Sequence, residues 1–329
     1  MSKLNNSVDI SIVIVSWNTC DLISDCIKSI FAVTKGVAFE IIVVDNASSD
    51  NTVTSLRKQY PQITVIAQNT NDGFSKANNV GIKASHGRNV LLLNPDTFLK
   101  EDAISMMSKF LDDNSAYGAV GCRLLNRDGS IQYQCARTYP TAWNQFCFLS
   151  MLEKLFPKNR LFASVELKYW DHRESRDIDC ISGACICSTK RVLSDLNGFD
   201  ENIFMYTEDV DLCYRIRMAG LRIRYLADSS IFHYHGASSI KQTLNYFSLL
   251  KQKDSQIYFL KKHKGLMTAC TYRVAVFVGA LIRIGSILPA IMFFVFINKR
   301  GKIDGLTKII KKYWVLFLWA SGLKKTSRK

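Results

Sequence analysis

The sequence predicts an α/β fold that is built on a parallel sheet with helices on both faces. Three observations predict it. Strand-like and helix-like segments alternate three times within the first hundred residues. The strand-like segments are continuous apolar runs, which are typical of strands covered on both faces. Polar residues follow directly after several of these runs, so that each predicted strand ends abruptly.

The predicted elements follow in order from the spacing of the apolar residues. Apolar runs predict strands, and apolar residues that recur every three or four positions predict helices. The strands are predicted at residues 10–16, 40–44, 63–67, 90–93 and 118–125, and the helices at about residues 22–31, 52–60, 75–84 and 104–111. Asp128-Gly129 predicts a hairpin turn. Gly183 lies in a further strand-like run, where another part of the backbone could approach closely.

Two carboxylates, Asp45 and Asp96, each lie at the end of an apolar strand. Parallel strands end at the same edge of a sheet, so both carboxylates should face one crevice, where α/β sheets bind their ligands. This arrangement suits a nucleotide, although the chain contains neither GxGxxG nor GxxxxGK[ST]. A divalent metal on Asp96 could neutralise the phosphates instead. The alternative is that Asp96 only caps the turn that follows it.

A second group of candidate residues lies between residues 205 and 239. Glu208, Asp209 and Asp211 place three acids within four residues. Clustered carboxylates raise the pKa of one member, which suits a general base. The alternative is a solvated helix start, with the acids at the positive end of the helix dipole. His233 and His235 follow another apolar strand, and from the residues alone a core position is favoured over a metal ligand.

The net charge of +15 is concentrated at one end of the chain. Residues 261–329 carry 15 Lys and Arg against one acidic residue, whereas residues 1–260 are nearly neutral. A neutral body argues against nucleic-acid binding. Ten Cys residues without a CxxC pair predict a reducing, cytoplasmic compartment. The first residues lack the features of a signal peptide.

Residues 261–329 are predicted to form basic, apolar helices. Arg273, Arg283 and Pro289 interrupt the apolar stretch, and the uninterrupted part of 14 residues is shorter than the about 20 that a spanning helix needs. Lys and Arg interleaved with aromatic residues are typical of helices that lie in a membrane interface. A spanning helix and a helical cap with a solvated basic face are the alternatives. Residues 143–162 are apolar and aromatic, as in a core or a lid.

Taken together, six motifs in this order resemble an inverting family-2 glycosyltransferase of the bacterial rhamnosyltransferase-like branch. The motifs are Ser11-Ile12-Val13-Ile14-Val15-Ser16-Trp17-Asn18, Val43-Val44-Asp45-Asn46-Ala47-Ser48-Ser49-Asp50, the stretch from Asn69 to Gly81, Leu91-Leu92-Leu93-Asn94-Pro95-Asp96, Gly198-Phe199-Asp200-Glu201 with the segment from Tyr206 to Leu212, and His233-x-x-Gly236-x-Ser238. The resemblance implies a GT-A fold, a Rossmann-like mixed, mainly parallel sheet. It implies a catalytic domain at residues 1–260, and residues 261–329 would be membrane-associating helices.

The resemblance also implies roles for individual residues. The nucleotide and donor sugar would be bound by Trp17, Asn18, Asp45, Asn71, Gly73, Phe74, Asn78 and Asp96. Asp96 would hold Mg²⁺ or Mn²⁺, with His233 as a second ligand. Asp209 would take the proton of the acceptor hydroxyl, and Glu208 would lie beside it at the acceptor site. The usual Asp-x-Asp metal motif is Asn94-Pro95-Asp96 here, which leaves one carboxylate.

The implied function is transfer of a sugar, such as rhamnose, from a nucleoside-diphosphate-sugar to a surface-glycan acceptor that is lipid-linked. The partners would be the nucleotide-sugar, the glycan or lipid-linked oligosaccharide and an anionic membrane surface, but not nucleic acid. The enzyme would be a peripheral protein on the cytoplasmic face of the inner membrane. Two alternatives are a non-catalytic membrane scaffold on a transferase-like domain and a sugar-phosphate nucleotidyltransferase. The second would need a Gly-rich, basic loop where Trp17-Asn18 stands.

Overall fold

The computed structural model describes residues 8–234, 246–324 and 326. The strands are β1 (Ile10–Ser16), β2 (Phe39–Asp45), β3 (Thr64–Ala67), β4 (Asn89–Leu93), β5 (Thr97–Phe98), β6 (Tyr117–Leu125), β7 (Ala136–Arg137), β8 (Arg176–Asp177), β9 (Cys180–Ile181), β10 (Cys185–Thr189) and β11 (Arg222–His233). The helices are α1 (Cys20–Val33), α2 (Thr52–Gln59), α3 (Phe74–Ala84), α4 (Ala103–Asp113), α5 (Ala142–Leu149), α6 (Leu152–Leu155), α7 (Lys190–Asp195), α8 (Glu208–Met218), α9 (Tyr246–Lys264), α10 (Leu266–Phe296) and α11 (Arg300–Ala320).

The main sheet has the strand order β3-β2-β1-β4-β10-β6-β11-β5, with β8 paired to β11. The strands β3, β2, β1 and β4 are parallel to one another, and β11 is parallel to β6. The strand β10 runs antiparallel to both of its neighbours. The predicted mixed, mainly parallel α/β sheet is therefore confirmed.

The burial of the parallel strands explains why they could be predicted from the sequence. Every residue of β1 and β4 is buried, as expected for strands that are covered on both faces. The helix α3 lies so close to β1 that a Cβ at Gly81 would stand 2.2 Å from Val13 Cγ1. Glycine at this position therefore allows the helix to pack directly on the sheet.

The chain forms two compact units. One contains the described parts of residues 1–137 and 171–242, and the other contains residues 138–170 together with the described parts of residues 243–329. This division by contacts differs from the division after residue 260, because the segment 138–170 packs with the C-terminal helices. The assignment of catalytic and membrane-associating roles to residues 1–260 and 261–329 stays a prediction.

In the second unit, α10 is one continuous helix of 31 residues through Arg273, Arg283 and Pro289. The guanidinium group of Arg273 donates to the carbonyl oxygens of Trp319 and Ala320, at 2.7 and 3.0 Å, near the end of α11. The guanidinium group of Arg283 lies 5.5 Å from the ring centroid of Tyr313. Because both arginines face α11, they do not interrupt the helix as the sequence suggested. By length and composition, α10 is the one helix in the described part of the chain that could cross a membrane.

The second unit also buries a lysine. The ammonium group of Lys253 donates to Gln145 Oε1 at 2.7 Å, to Gln256 Oε1 at 3.0 Å and to Tyr272 Oη at 3.1 Å. Burial, followed by the positive charge of Lys312, lowers the pKa of Lys253 to about 7. Burial of an ammonium group disfavours its charged form, which explains the direction of the shift.

We expect Lys253 to make the stability of this unit depend on pH. Between about pH 7 and pH 10 the unfolded chain keeps the proton that the folded chain releases, so stability should rise with pH. Lys253→Met should remove at least ~1.4 kcal/mol of that rise, the equivalent of one pKa unit. Denaturation of the detergent-solubilised protein across this pH range measures the effect. Lys261→Met, at an exposed position of the same helix, is the control, and identical pH profiles for the two variants would contradict the prediction.

Candidate active site

The candidate site lies at the edge of the sheet where β1, β2 and β4 end. Ser16 stands opposite Asp45 in the β1–β2 register, and Ile14 stands opposite Leu93 in the β1–β4 register. The residues that follow these three strands therefore emerge at one edge, as the alternation of strands and helices predicted. In α/β sheets this edge is where ligands bind.

Two loops at this edge are joined by the side chain of Asn18. Its Oδ1 accepts from the backbone N–H of Ser49 at 2.7 Å, and its own N–H donates to Ser48 Oγ at 2.8 Å. Asn18 has φ 54°, a left-handed conformation that asparagine tolerates better than most residues. Trp17 is 46% exposed beside it. Asn18 thus fixes the loop that presents an exposed indole ring.

Asp45 is almost fully buried, yet only one of its carboxylate oxygens is satisfied. Its Oδ2 accepts from the N–H of Ser48 at 2.9 Å. Its Oδ1 is inaccessible to solvent and has no hydrogen-bond donor within the described residues. A buried acceptor without a donor is costly, so this oxygen is a position where a ligand donor would be stabilising.

Asn71, Gly73, Phe74 and Asn78 form the next part of the edge. Asn71 Oδ1 accepts from Asn46 Nδ2 at 2.8 Å and from the N–H of Gly73 at 3.1 Å. Gly73 has φ 95°, and a Cβ there would lie 2.6 Å from Phe204. Buried Asn78 donates to the carbonyl oxygen of Phe74 at 2.9 Å. These contacts shape the loop before α3, and Asn71 and Asn78 use their side chains within the protein.

The structure brings Asp96 and His233 together. The short strand β5 begins one residue after Asp96 and pairs antiparallel with the end of β11, with His233 opposite Thr97. His233 Nε2 lies 3.3 Å from Asp96 Oδ1, and both side chains are buried. His235 lies outside the described residues. His233 is therefore buried, as a core residue would be. It also lies beside Asp96, where a second metal ligand would have to be.

The orientation of the His233 ring follows from Gln132. Gln132 Nε2 donates to Asn126 Oδ1 at 2.8 Å and to the carbonyl oxygen of His233 at 2.6 Å. Because Nε2 is the nitrogen of this side-chain amide, Gln132 Oε1 is its oxygen and can only accept hydrogen bonds. That oxygen lies 2.9 Å from His233 Nδ1, which therefore carries a proton. In the neutral ring, the lone pair of Nε2 then lies near both Asp96 Oδ1 and Asn94 Nδ2, at 3.3 and 3.4 Å. Hydrogen bonds of this kind are typical of histidines that bind metals.

These residues fit a divalent cation that is shared with a ligand. An imidazole nitrogen and a carboxylate oxygen at 3.3 Å are two acceptors that face each other. No group of three or more metal-binding side chains occurs among the residues the structure describes. A cation held by Asp96 and His233 would have to take its remaining ligands from water and from substrate phosphates, which is common for hard cations.

The acid pair lies at the first turn of α8. Tyr206 and Thr207, immediately before the helix, have φ 66° and 73°. Asp209 Oδ2 accepts from the N–H of Gly183 at 2.7 Å and also pairs with Arg137. A Cβ at Gly183 would lie 3.3 Å from the side chain of Asp209, so the group that approaches this glycine closely is a carboxylate side chain and not another part of the backbone. The carboxylate of Asp209 is thus oriented from two sides.

Glu208 is buried beside Asp209, and its Oε2 has no hydrogen-bond partner among the described residues. Burial, followed by the negative charge of Asp209, raises the pKa of Glu208 to about 8. The raised pKa expected in the acid cluster is therefore present. Asp211, the third acid, is also buried and binds Arg215 Nε at 2.7 Å. The alternative is confirmed in placing the three acids in the first turn of a helix, but they are not solvated, because all three are buried.

The segment Gly183-Ala184 contacts both the acid pair and the loop that carries Asp96. The carbonyl oxygen of Ala184 accepts from the N–H of Asn94 at 3.0 Å, two residues before Asp96. The N–H of the preceding residue, Gly183, holds Asp209. The acid pair is therefore tied to the loop that carries Asp96 through one backbone–backbone hydrogen bond and one hydrogen bond from a backbone N–H to the Asp209 carboxylate.

Two residues of the site were absent from the sequence-based prediction. Gln132 orients His233, and Arg137 pairs with Asp209. Gln132 lies just after a turn, and Arg137 lies in a two-residue strand, so neither belongs to a periodic pattern. The isolated polar side chains gave no local signal that could have identified them.

Comparison with known proteins supports the family that the motifs resemble. A family model described as glycosyl transferase family 2 matches residues 11–168. The low-salt glycan biosynthesis hexosyltransferase of Haloferax volcanii is 28% identical over 224 residues, 65% of this chain and 64% of that protein. The N-acetylglucosaminyl-diphospho-decaprenol L-rhamnosyltransferase of Mycobacterium tuberculosis is 25% identical over 236 residues, 68% of this chain and 76% of that protein.

A solved structure supports the fold. The mannosyltransferase of Pyrobaculum calidifontis, determined in complex with GDP-Man and Mn²⁺, has a TM-score of 0.57 at 13% sequence identity and covers 98% of this chain and 90% of its own. The sheet order, the motifs and these similarities agree, and the resemblance found in the sequence is confirmed. The chain therefore resembles glycosyl transferase family 2 in sequence and has a GT-A fold.

Proposed function

We propose that the enzyme transfers a sugar from a nucleoside-diphosphate-sugar to a hydroxyl group of a lipid-linked surface-glycan acceptor, with inversion at the anomeric carbon. The observation that carries the proposal is the connection of the Asp96–His233 pair to the Glu208–Asp209 pair through Gly183-Ala184. One pair can hold a diphosphate through a cation, and the other can accept a proton. The rhamnosyltransferase of M. tuberculosis, named for a lipid diphosphate substrate, supports the acceptor class.

The proposed donor site uses the loops after β1, β2 and β3. The exposed ring of Trp17 would stack on the nucleobase, with Asn18 fixing its loop. Asp45 Oδ1 would accept a hydrogen bond from the base or the ribose, which would satisfy a buried oxygen. Asn71, Gly73, Phe74 and Asn78 would give the loop beside the donor sugar its shape.

We propose that Asp96 and His233 hold Mg²⁺ or Mn²⁺ together with the donor diphosphate. When bound, the cation would neutralise the negative charge of the leaving diphosphate. Gln132 would keep the Nε2 lone pair of His233 directed at this position. The mannosyltransferase of P. calidifontis was solved with Mn²⁺, and for this chain the choice between the two ions stays open.

Asp209 is the proposed general base. Arg137 and the N–H of Gly183 hold its carboxylate in place, so that it can take the proton of the acceptor hydroxyl. The acceptor oxygen then bonds to the anomeric carbon, and the electron pair of the broken bond leaves with the diphosphate. Glu208, with its pKa raised to about 8, would be protonated and uncharged near neutral pH. A pKa this close to neutrality also suits a base, so the two residues need to be separated by experiment.

We further propose that the protein associates with the cytoplasmic face of the inner membrane through residues 261–329. Basic and apolar residues alternate in α11, and α10 exposes an apolar surface. Anionic lipid would attract each nearby Lys or Arg by about 1 kcal/mol. The rhamnosyltransferase of M. tuberculosis, whose name includes a decaprenol lipid, is consistent with this location.

Asp96→Ala should abolish the metal-dependent part of donor binding, because one of the two proposed protein ligands is lost. Calorimetry with nucleoside-diphosphate-sugars in the presence and absence of Mn²⁺ measures this, and an affinity loss of at least tenfold is expected with the metal present. Asp25→Ala, at an exposed position of α1, should bind like the parent protein. Unchanged metal-dependent affinity in Asp96→Ala would rule out the proposed site.

Asp209→Asn should leave donor affinity nearly intact and lower turnover by roughly 10²-fold or more, the scale of general-base catalysis. Glu208→Gln should mainly raise the KM for the acceptor, because Glu208 lies beside the proposed base at the acceptor site and does not itself take the proton. Steady-state rates with donor and acceptor varied separately distinguish the two variants. If Glu208→Gln is inactive and Asp209→Asn keeps near-native turnover, Glu208 is the base.

The raised pKa of Glu208 also predicts a pH dependence of stability. Between about pH 4.5 and pH 8 the folded protein holds a proton that the unfolded chain has released, so stability should fall as pH rises. Glu208→Gln carries no such proton and should therefore lose less stability over this range, by at least ~1.4 kcal/mol. Thermal or urea unfolding at pH 5 and pH 8 checks this, with Glu201→Gln, at an exposed carboxylate of the same unit, as the control. Parallel profiles for Glu208→Gln and the parent protein would contradict the prediction.

A further inference from the structure

The second unit exposes a group of large apolar side chains outside the C-terminal helices. Trp143 is 45% exposed, Leu155 67%, Phe156 50% and Leu161 59%. We call these four residues the aromatic patch. The sequence suggested that this stretch is a core or a lid, but these side chains face solvent. Exposed apolar patches of this kind mark surfaces that bind a partner or a membrane.

Contacts link three of the four residues, and the fourth, Leu155, precedes Phe156 in the chain. The ring of Phe162 lies 6.1 Å from the ring of Trp143 and 5.4 Å from the ring of Phe156, measured between centroids. Trp143 Nε1 donates to the carbonyl oxygen of Leu161 at 3.0 Å. Half-buried Phe162 therefore packs against both exposed rings, and the indole hydrogen bond fixes the position of Trp143. The patch is held in place by contacts within its own unit.

The charges around the patch are positive. Lys154, Lys158 and Arg160 are exposed within it or next to it in the chain. The two acids of residues 138–170, Glu153 and Glu166, are both paired with Lys168, at 2.5 and 2.9 Å. Glu153 is buried, so its charge does not reach the surface. The surface therefore combines apolar rings with unbalanced positive charge.

We propose that the aromatic patch and its three basic residues bind an anionic lipid surface. Large apolar side chains beside Lys and Arg are the composition that binds the interface of a bilayer. The helix that carries Trp143, α5, packs directly on α10, since a Cβ at Gly279 would lie 2.7 Å from Leu149 Cβ. The patch thus belongs to the same unit as the helices proposed to associate with the membrane, and the inference rests on that association. It adds a second, separate lipid contact.

Insertion of the patch can be measured in the full chain. Phe156 is replaced by a polarity-sensitive fluorescent amino acid, and the protein is mixed with vesicles of phosphatidylcholine alone or with 30% phosphatidylglycerol. A blue shift of the emission is expected with the anionic vesicles and a smaller one with the neutral vesicles. The same amino acid at Met218, an exposed apolar position in the other unit, should show no shift. This local readout does not depend on whether α10 lies on or crosses the bilayer.

Charge reversal tests the electrostatic part. Lys154→Glu with Lys158→Glu should raise the vesicle concentration at half-maximal shift by about tenfold or more. Lys28→Glu with Lys58→Glu makes the same change of charge at exposed positions of the other unit and should leave it unchanged. Absence of a shift at position 156, or equal losses in both double variants, would overturn the proposal. A shift that appears without vesicles and grows with protein concentration would assign the patch to self-association instead.

The measurement is independent of the proposed reaction. Donor binding and its dependence on Asp96 are measured in detergent, without vesicles. A protein that binds donor but shows no shift at position 156 would keep the proposed function and lose the lipid contact. A protein that shows the shift but binds no nucleotide-sugar would keep the lipid contact and lose the proposed function.

Discussion

The arrangement of the site depends on one reversal of strand direction. β10 runs antiparallel to β4, so its first residues stand at the edge where β1, β2 and β4 end. This reversal places Gly183 and Ala184 between the loop of Asp96 and the start of α8. One backbone–backbone hydrogen bond to Asn94 and one hydrogen bond from a backbone N–H to the Asp209 carboxylate then hold the loop of Asp96 and the acid pair in one arrangement. A fully parallel sheet would bring only strand ends, and not this strand start, to the same edge.

The parts of the fold that could be predicted are those determined by short stretches of sequence. β1, β2 and β4 are continuous apolar runs, and each stops at a polar residue. Asp45 and Asp96 follow from that pattern alone, because parallel strands end together. Like charges predicted a raised pKa within the acid cluster, although burial is its larger cause in the structure. Its assignment to Glu208 required knowledge of burial, and of the Arg137 and Gly183 contacts that Asp209 makes instead.

The parts that could not be predicted depend on contacts between distant segments. Gln132 and Arg137 act on residues far along the chain and lie in segments too short to show a period. The role of His233 as a metal ligand was predicted only from the family resemblance, because the residues alone favoured a core position. The charges within α10 were misleading for the same reason. Arg273 and Arg283 read as interruptions until α11 supplies carbonyl oxygens and an aromatic ring for them.

The pairing of Asp96 with His233 has a consequence for biosynthesis. Asn94, at the start of the same loop, contacts His233. His233 is the last residue of β11 and lies 139 positions later in the chain. Domains generally form as the chain leaves the ribosome, from the N-terminus onward. The first four strands leave the ribosome before His233 has been translated. The proposed cation site, which needs His233, can therefore be complete only late in synthesis, so that a cation bound there cannot guide the early steps of folding.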